Sequence, residues 1–256
     1  MPTRAEIKAW RSLHRGRGRR ETGCFLAEGR RLVGEMLEWP GRTVAVLHAD
    51  AAGDEPELEA LLARAVTLGV RTEAVPEATI QTLADAATPQ PVLAIGEVPA
   101  YGWDDVADGA IVLLDGVQDP GNVGTLVRTA LALEAAAVVG VGETADPWGP
   151  KALRASAGAS FRGPVFRTDT RDAVERLAGR RIPIWVAAAD APPLAEPPAG
   201  PVALALGSEA HGVSPSLRAA AARVVSVPLA RGVESLNVAS AGAILLDRLR
   251  TGRPLG

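Results

Sequence analysis

Short apolar runs and longer amphipathic stretches alternate along almost the whole chain. In the first third, 25–29 reads as a strand and turn. Leu32, Val33, Met36 and Leu37 then mark one face of a helix over 30–39, stopped by Pro40-Gly41. A buried strand (43–48), a helix (55–68), a strand (70–75), a helix (76–84) and a closing strand (92–97) complete a small α/β unit. The pattern then restarts more regularly. Strands are expected at 110–114, 137–141, 165–167, 182–188, 202–206 and 223–227, with helices at 122–135, 150–159, 171–178, 214–222 and 237–250. Such alternation predicts an α/β fold whose C-terminal sheet is mostly parallel with helices on both faces. The expected division is an N-terminal domain 1–98, a linker 99–109 rich in Asp with Pro99 and Gly102, and a C-terminal domain 110–256.

Composition narrows the function classes. The 256 residues carry a net charge of −3, and Cys24 is the lone cysteine, so neither a disulfide nor a cysteine zinc cluster is expected. His14, His48 and His211 share no ligand spacing, which argues against a metal. No apolar run is long enough for a bilayer and no signal-peptide core opens the chain, so no membrane partner and a cytoplasmic location are expected. Charge is uneven, however. Residues 1–31 hold nine Lys and Arg against three Glu, an excess of six on a mildly acidic protein. Arg11, Arg15, Arg17, Arg19 and Arg20 are therefore candidate phosphate contacts for RNA, and the glycines among 14–20 predict a flexible, backbone-following arm.

Three loops following expected strands concentrate polar groups, and ligands in open α/β sheets bind beyond the carboxyl ends of strands. In the first, Asp119-Pro120-Gly121-Asn122 is written in turn residues. Asn122 stands where a helix takes its cap, and Arg128 sits at the edge of that helix's apolar stripe. An ordinary cap and a surface arginine explain each residue taken alone. Gly116, Gly121 and Gly124 do not fit G-x-G-x-x-G and no Walker lysine follows, which disfavours a dinucleotide or nucleotide site. In the second, Leu206-Gly207-Ser208-Glu209-Ala210-His211-Gly212 ends a buried strand. Ser208 and His211 lack the G-x-S-x-G elbow of a hydrolase. The third runs from Val227-Pro228-Leu229 through Arg231-Gly232 to Glu234-Ser235-Leu236-Asn237. A helix follows, rich in small residues (Ala239, Ser240, Ala241, Gly242, Ala243) that permit close packing within this chain or against a second copy.

These three motifs, in this order, resemble the SpoU/TrmH family of RNA ribose 2′-O-methyltransferases over roughly 110–250. Residues 150–159 are similar to an accessory segment of that family, and 21–29 to its ribosomal-protein-like RNA-binding domain. The resemblance implies a deep trefoil knot in the C-terminal domain, a homodimer, and S-adenosylmethionine as cofactor. It places the cofactor on backbone groups at Gly207, Val227 and Leu236, with Leu206 and Leu229 nearby. It further implies that Arg128 activates the ribose hydroxyl, that Ser235 and Asn237 orient substrate or cofactor, and that Asn122 and Glu209 support them. The expected substrate is rRNA, with tRNA or a non-catalytic RNA-binding relative as alternatives. In one departure, this chain has Ala230-Arg231-Gly232 where many members have glycine before the variable residue of the third loop.

Overall fold

The computed structural model describes residues 1–39, 42–50 and 55–250; the expected Pro40-Gly41 stop and the last six residues of the expected C-terminal domain lie outside these. The chain runs α1 (Arg4–Ser12), α2 (Gly16–Thr22), β1 (Cys24–Glu28), α3 (Arg30–Leu37), β2 (Thr43–Ala49), α4 (Pro56–Thr67), β3 (Thr72–Val75), α5 (Glu77–Leu83) and β4 (Val92–Glu97). It continues β5 (Ile111–Asp115), α6 (Pro120–Ala132), β6 (Ala137–Val141), α7 (Pro150–Ser156), β7 (Val165–Arg167), α8 (Thr170–Gly179) and β8 (Ile184–Ala187). The last elements are β9 (Ala203–Gly207), α9 (Pro215–Ala219), β10 (Ala221–Val225) and α10 (Val238–Arg250). Two compact units result: Met1–Ala100 with Trp148–Phe161, and Tyr101–Pro147 with Arg162–Gly256.

In the first unit the sheet order is β1-β4-β2-β3, antiparallel except for the β2–β3 pair. Trp10, Leu13, Leu26, Leu47, Ile80 and Leu93 fill one core. The basic N-terminal stretch departs from the flexible arm expected of it. Thr3 and Glu6 form a reciprocal capping box that starts α1, and Gly16–Thr22 is helical. Gly18 serves close approach, since a Cβ there would lie 2.1 Å from the Ser12 carbonyl oxygen. Arg19 is buried and donates from Nη1 to the Leu13 carbonyl at 2.6 Å, so it braces the α1–α2 turn and does not face solvent as a phosphate contact would.

The second unit is a six-stranded sheet, order β10-β8-β9-β5-β6-β7, parallel throughout. Its interior strands read as unbroken apolar runs because both faces are covered. Register pairs Asp115 with Gly207, which sets the loops after β5 and β9 side by side at the carboxyl edge. Part of the expected linker belongs to this core. Trp103 is buried and packs edge-on against Phe166, and its indole N–H donates to Asp172 at 2.8 Å. Hydrogen bonds from Thr168 and then Trp103 hold the Asp172 carboxyl below its usual range. No helix is long and apolar enough to cross a membrane among the described residues.

Candidate active site

The first loop is set by its cap. Asp119, not Asn122, caps α6: its Oδ1 accepts the Asn122 N–H at 2.9 Å, and Pro120 fills the first turn, where a missing N–H costs nothing. Asn122 lies inside that turn, and its side-chain amide is released for longer-range bonds. Its Nδ2 donates to Glu209 Oε1 at 2.5 Å, and its Oδ1 accepts from Asn237 Nδ2 at 3.1 Å. Asn237 Oδ1 in turn accepts the N–H groups of Ala239 (2.9 Å) and Ser240 (3.4 Å), capping α10. One amide thus links the loops after β5 and β9 and the loop before α10.

The second loop folds back on itself. Ser208 and Gly212 form an antiparallel bridge, and the Gly212 N–H donates to the Ser208 carbonyl at 2.8 Å. Gly207 is obligatory, because a Cβ there would lie 2.0 Å from the Gly212 carbonyl carbon. The Ser208 hydroxyl accepts from the His211 backbone N–H at 3.2 Å, a turn contact that leaves no serine–imidazole pair. Buried Asp115 fastens the far end of the loop, with Oδ2 accepting the Ser214 N–H at 2.6 Å. Its only sequence signal is a carboxylate closing an apolar strand.

The third loop turns at Arg231 and Gly232, both left-handed at φ 58° and 72°. Arg231 therefore takes the conformation a glycine would take, at a strain of roughly 1 kcal/mol. Beyond it, α10 packs on α6 within this chain. A Cβ on Gly242 would come within 2.5 Å of Leu126 and 2.9 Å of Leu206, which explains the small residues there.

Between the second and third loops lies a cavity of about 230 Å³ at the carboxyl ends of β8, β9 and β10. All five residues expected to hold a cofactor (Leu206, Gly207, Val227, Leu229 and Leu236) line it, as do Glu209 and Ser235. Arg128 is exposed on α6, with no side-chain hydrogen bond or ion pair among the described residues, and lies outside the cavity lining. Of the basic candidates in the first unit, Arg11, Arg15, Arg17 and Arg20 are exposed, and Arg17 pairs with Glu21 at 2.6 Å. Sequence reasoning missed Arg218, which also lines the cavity.

Comparison with known proteins accounts for this arrangement. The SpoU rRNA Methylase family matches residues 109–247, more than half the chain. The chain belongs to that family. Residues 4–94 match the MRM3-like substrate binding domain. Among relatives of this SpoU member, the 23S rRNA (guanosine(2553)-2′-O)-methyltransferase RlmP of Bacillus subtilis is 34% identical over 247 residues, 96% of each chain. The SpoU methyltransferase AviRb of Streptomyces viridochromogenes, solved with the cofactor AdoMet, superposes with a TM-score of 0.86 at 26% identity over 97% of each chain. An AdoMet-bound rRNA methyltransferase from Sinorhizobium meliloti gives 0.80 at 30% identity, covering 98% of this chain and 95% of its own. The six-stranded parallel sheet flanked by helices is thus the SpoU methyltransferase fold.

Proposed function

We propose that this protein transfers a methyl group from S-adenosylmethionine to a ribose 2′-hydroxyl in RNA, with large-subunit rRNA as the substrate class. The observation that carries the reading is the Glu209–Asn122–Asn237 chain, which draws three separate motifs together beside a cavity that Glu209 lines, with Arg128 on the same helix as Asn122. A relative named as a 23S rRNA 2′-O-methyltransferase and two solved with AdoMet, one of them named as an rRNA methyltransferase, support it. The cavity suits the cofactor. Leu206, Val227, Leu229 and Leu236 offer apolar walls for an adenine ring, and Gly207 leaves its backbone open to close approach. When bound, S-adenosylmethionine supplies an electrophilic methyl group on a sulfonium.

The residues of this chain do the positioning. Methyl transfer needs the attacking oxygen and the sulfonium in line, so holding two loops in register supplies much of the rate. An arginine guanidinium is a permanent cation. Arg128 therefore acts as a fixed positive charge that polarises the 2′-hydroxyl, whose proton passes to a substrate phosphate as the oxygen takes the methyl group. Ser235, on the cavity lining, and Asn237, fixed by Asn122, hold the ribose against it. In the first unit Arg4, Lys8 and Arg11 recur at helical spacing on α1, all exposed, with exposed Arg15 following. That stripe, within the region matching a substrate-binding domain, follows an RNA backbone.

The same reading includes a trefoil knot formed where the chain from β10 to α10 closes the cavity, and a homodimer. Leu229, Val233 and Ile244 support the dimer: they are exposed at 38%, 53% and 37% on the third loop and α10. An RNA-binding relative without turnover loses its motive, because Arg231 keeps a left-handed backbone in the cofactor loop. A ribosomal RNA substrate implies a cytoplasmic location. The test is Arg128→Ala. Transfer of labelled methyl into rRNA should fall at least ~100-fold, with cofactor binding by calorimetry unchanged; full turnover would remove Arg128 from the mechanism.

A further inference from the structure

The proposed reaction leaves one cation of the cavity without a task. Arg218 sits on α9, just after the Gly207–Gly212 turn, and lines the cavity. Its guanidinium reaches back over that turn: a Cβ placed on Gly212 would lie 3.9 Å from Nη2. Glu209 is the other charged residue of the lining, and its Oε1 is taken by Asn122. Arg218 makes no side-chain hydrogen bond or ion pair among the described residues. The rest of the wall is uncharged, with apolar side chains interrupted only by Ser208, Ser226 and Ser235.

An exposed guanidinium at the mouth of a largely apolar cavity gains most from a planar anion delivered by the ligand, which its fork of N–H groups can grip in bidentate fashion. S-adenosylmethionine carries one anionic group, the carboxylate of its methionyl end. Its sulfonium and ammonium groups repel a cation. Resting on the cofactor reading above, we infer that Arg218 takes this carboxylate and makes the site select an intact methionyl group. The carboxylate is unchanged by methyl transfer, so the contact is equally strong in ground and transition states. It lowers KM for the cofactor and leaves kcat alone.

Calorimetry on the full chain tests this with two probes. S-adenosylhomocysteine keeps the amino-acid end, whereas 5′-methylthioadenosine has the same adenosine and thioether without it. Arg218→Ala should weaken the first by about tenfold, the worth of one partly screened charge-assisted bond, and leave the second unchanged. Arg218→Lys should recover part of the loss, and KM for S-adenosylmethionine should rise at constant kcat. Equal losses for both probes would mark Arg218 as a structural support, and no loss for either would leave it without a ligand; both results overturn the inference. An unsubstituted protein that binds neither probe overturns the cofactor reading and this inference with it. Binding of both by that protein, with Arg218→Ala equal to it, overturns only the role of Arg218.

Discussion

Asn122→Ala is the substitution that most directly interrogates the site. It removes two bonds at once: a neutral amide pair with Asn237 and a charge-assisted bond to Glu209. The first is worth about 1 kcal/mol and the second about 1.5 kcal/mol, the low end for a charged partner, because Glu209 is exposed and water competes for it. Together, about 2.5 kcal/mol of stability should disappear from the second unit. At roughly 2–4 °C per kcal/mol for a domain of this size, its Tm should fall by about 5–10 °C. Urea unfolding followed by circular dichroism measures the change, and a double-mutant cycle assigns it. Asn122→Ala and Glu209→Ala should couple by about 1 kcal/mol, because either change alone already breaks their shared bond. Asn122→Asp sharpens the test, since it keeps the shape but sets a carboxylate against Glu209, and should be worse than alanine at neutral pH. Cofactor affinity should fall in parallel, as the second and third loops lose register. Effects of the two single changes that add within about 0.3 kcal/mol would refute the reasoning.

Three further outcomes are expected. Gly207→Ala drives a Cβ to 2.0 Å from the Gly212 carbonyl carbon, far inside the ~3.5 Å carbon contact; it should cost about 2 kcal/mol or more and abolish cofactor binding. Gly212→Ala, whose φ is +65° but whose Cβ meets only Arg218 at 3.9 Å, should cost about 1 kcal/mol and keep it; equal costs would refute the steric argument. Hydrogen bonds from Arg71, then from the Thr3 backbone and hydroxyl, hold the Glu6 carboxyl down to about 2 from the usual 4.5. Its contribution to the first unit is thus full above pH 4.5 and lost as pH falls towards 2; Glu6→Gln should be less stable than the unsubstituted protein at pH 6 and equal to it near pH 2 in acid titrations. Replacing Arg4, Lys8, Arg11 and Arg15 by alanine should lower the salt slope of RNA binding by about 0.7–0.9 for each phosphate no longer neutralised, and an unchanged slope in filter binding would detach the stripe from RNA.

The order of strands and helices was legible because a parallel sheet covered on both faces demands apolar runs, and 110–114, 137–141 and 202–206 supply them. The cap of α6 was legible too, but through a different residue. Asp119 and Asn122 are both good caps, and Pro120 decides between them, since proline prefers the first helical position and so names the residue before it. Arg218 could not be found this way, because it stands beyond the end of the second motif on the short helix α9, and only the return of β10 beside β8 brings α9 to the cavity. In the N-terminal stretch the glycines read as a sign of freedom. Gly18 has the other use of glycine, approach too close for a side chain, and the helix before it is packed through Trp10 and Leu13.

The segment 148–161 shows where reading along the chain stops working. By continuity it belongs with 110–256, yet its packing puts it with Met1–Ala100. The reason lies in β1, an antiparallel edge strand in which Phe25, Leu26, Ala27 and Glu28 are all buried. Alternation sends Leu26 into the core with Trp10 and Leu13 and leaves Phe25 on the opposite face. Nothing local to β1 says what covers that face. Trp148 and Phe161 do so, with ring centroids 5.0 and 5.7 Å from that of Phe25. Glu28 presents the matching polar problem. Its carboxylate accepts the N–H groups of Asp85 and Ala86 at 3.1 and 3.2 Å, and Arg154 supplies its counter-charge at 3.3 Å while also holding Asp85 at 2.7 Å. A buried carboxylate stripped of its cation is costly, so the segment supports β1 twice, through Arg154 at Glu28 and through Trp148 and Phe161 against Phe25. An edge strand apolar on both faces and ending in a buried acid is therefore itself a sequence signal: it announces a covering segment with aromatic and basic residues elsewhere in the chain, and 148–161 is the stretch that carries both.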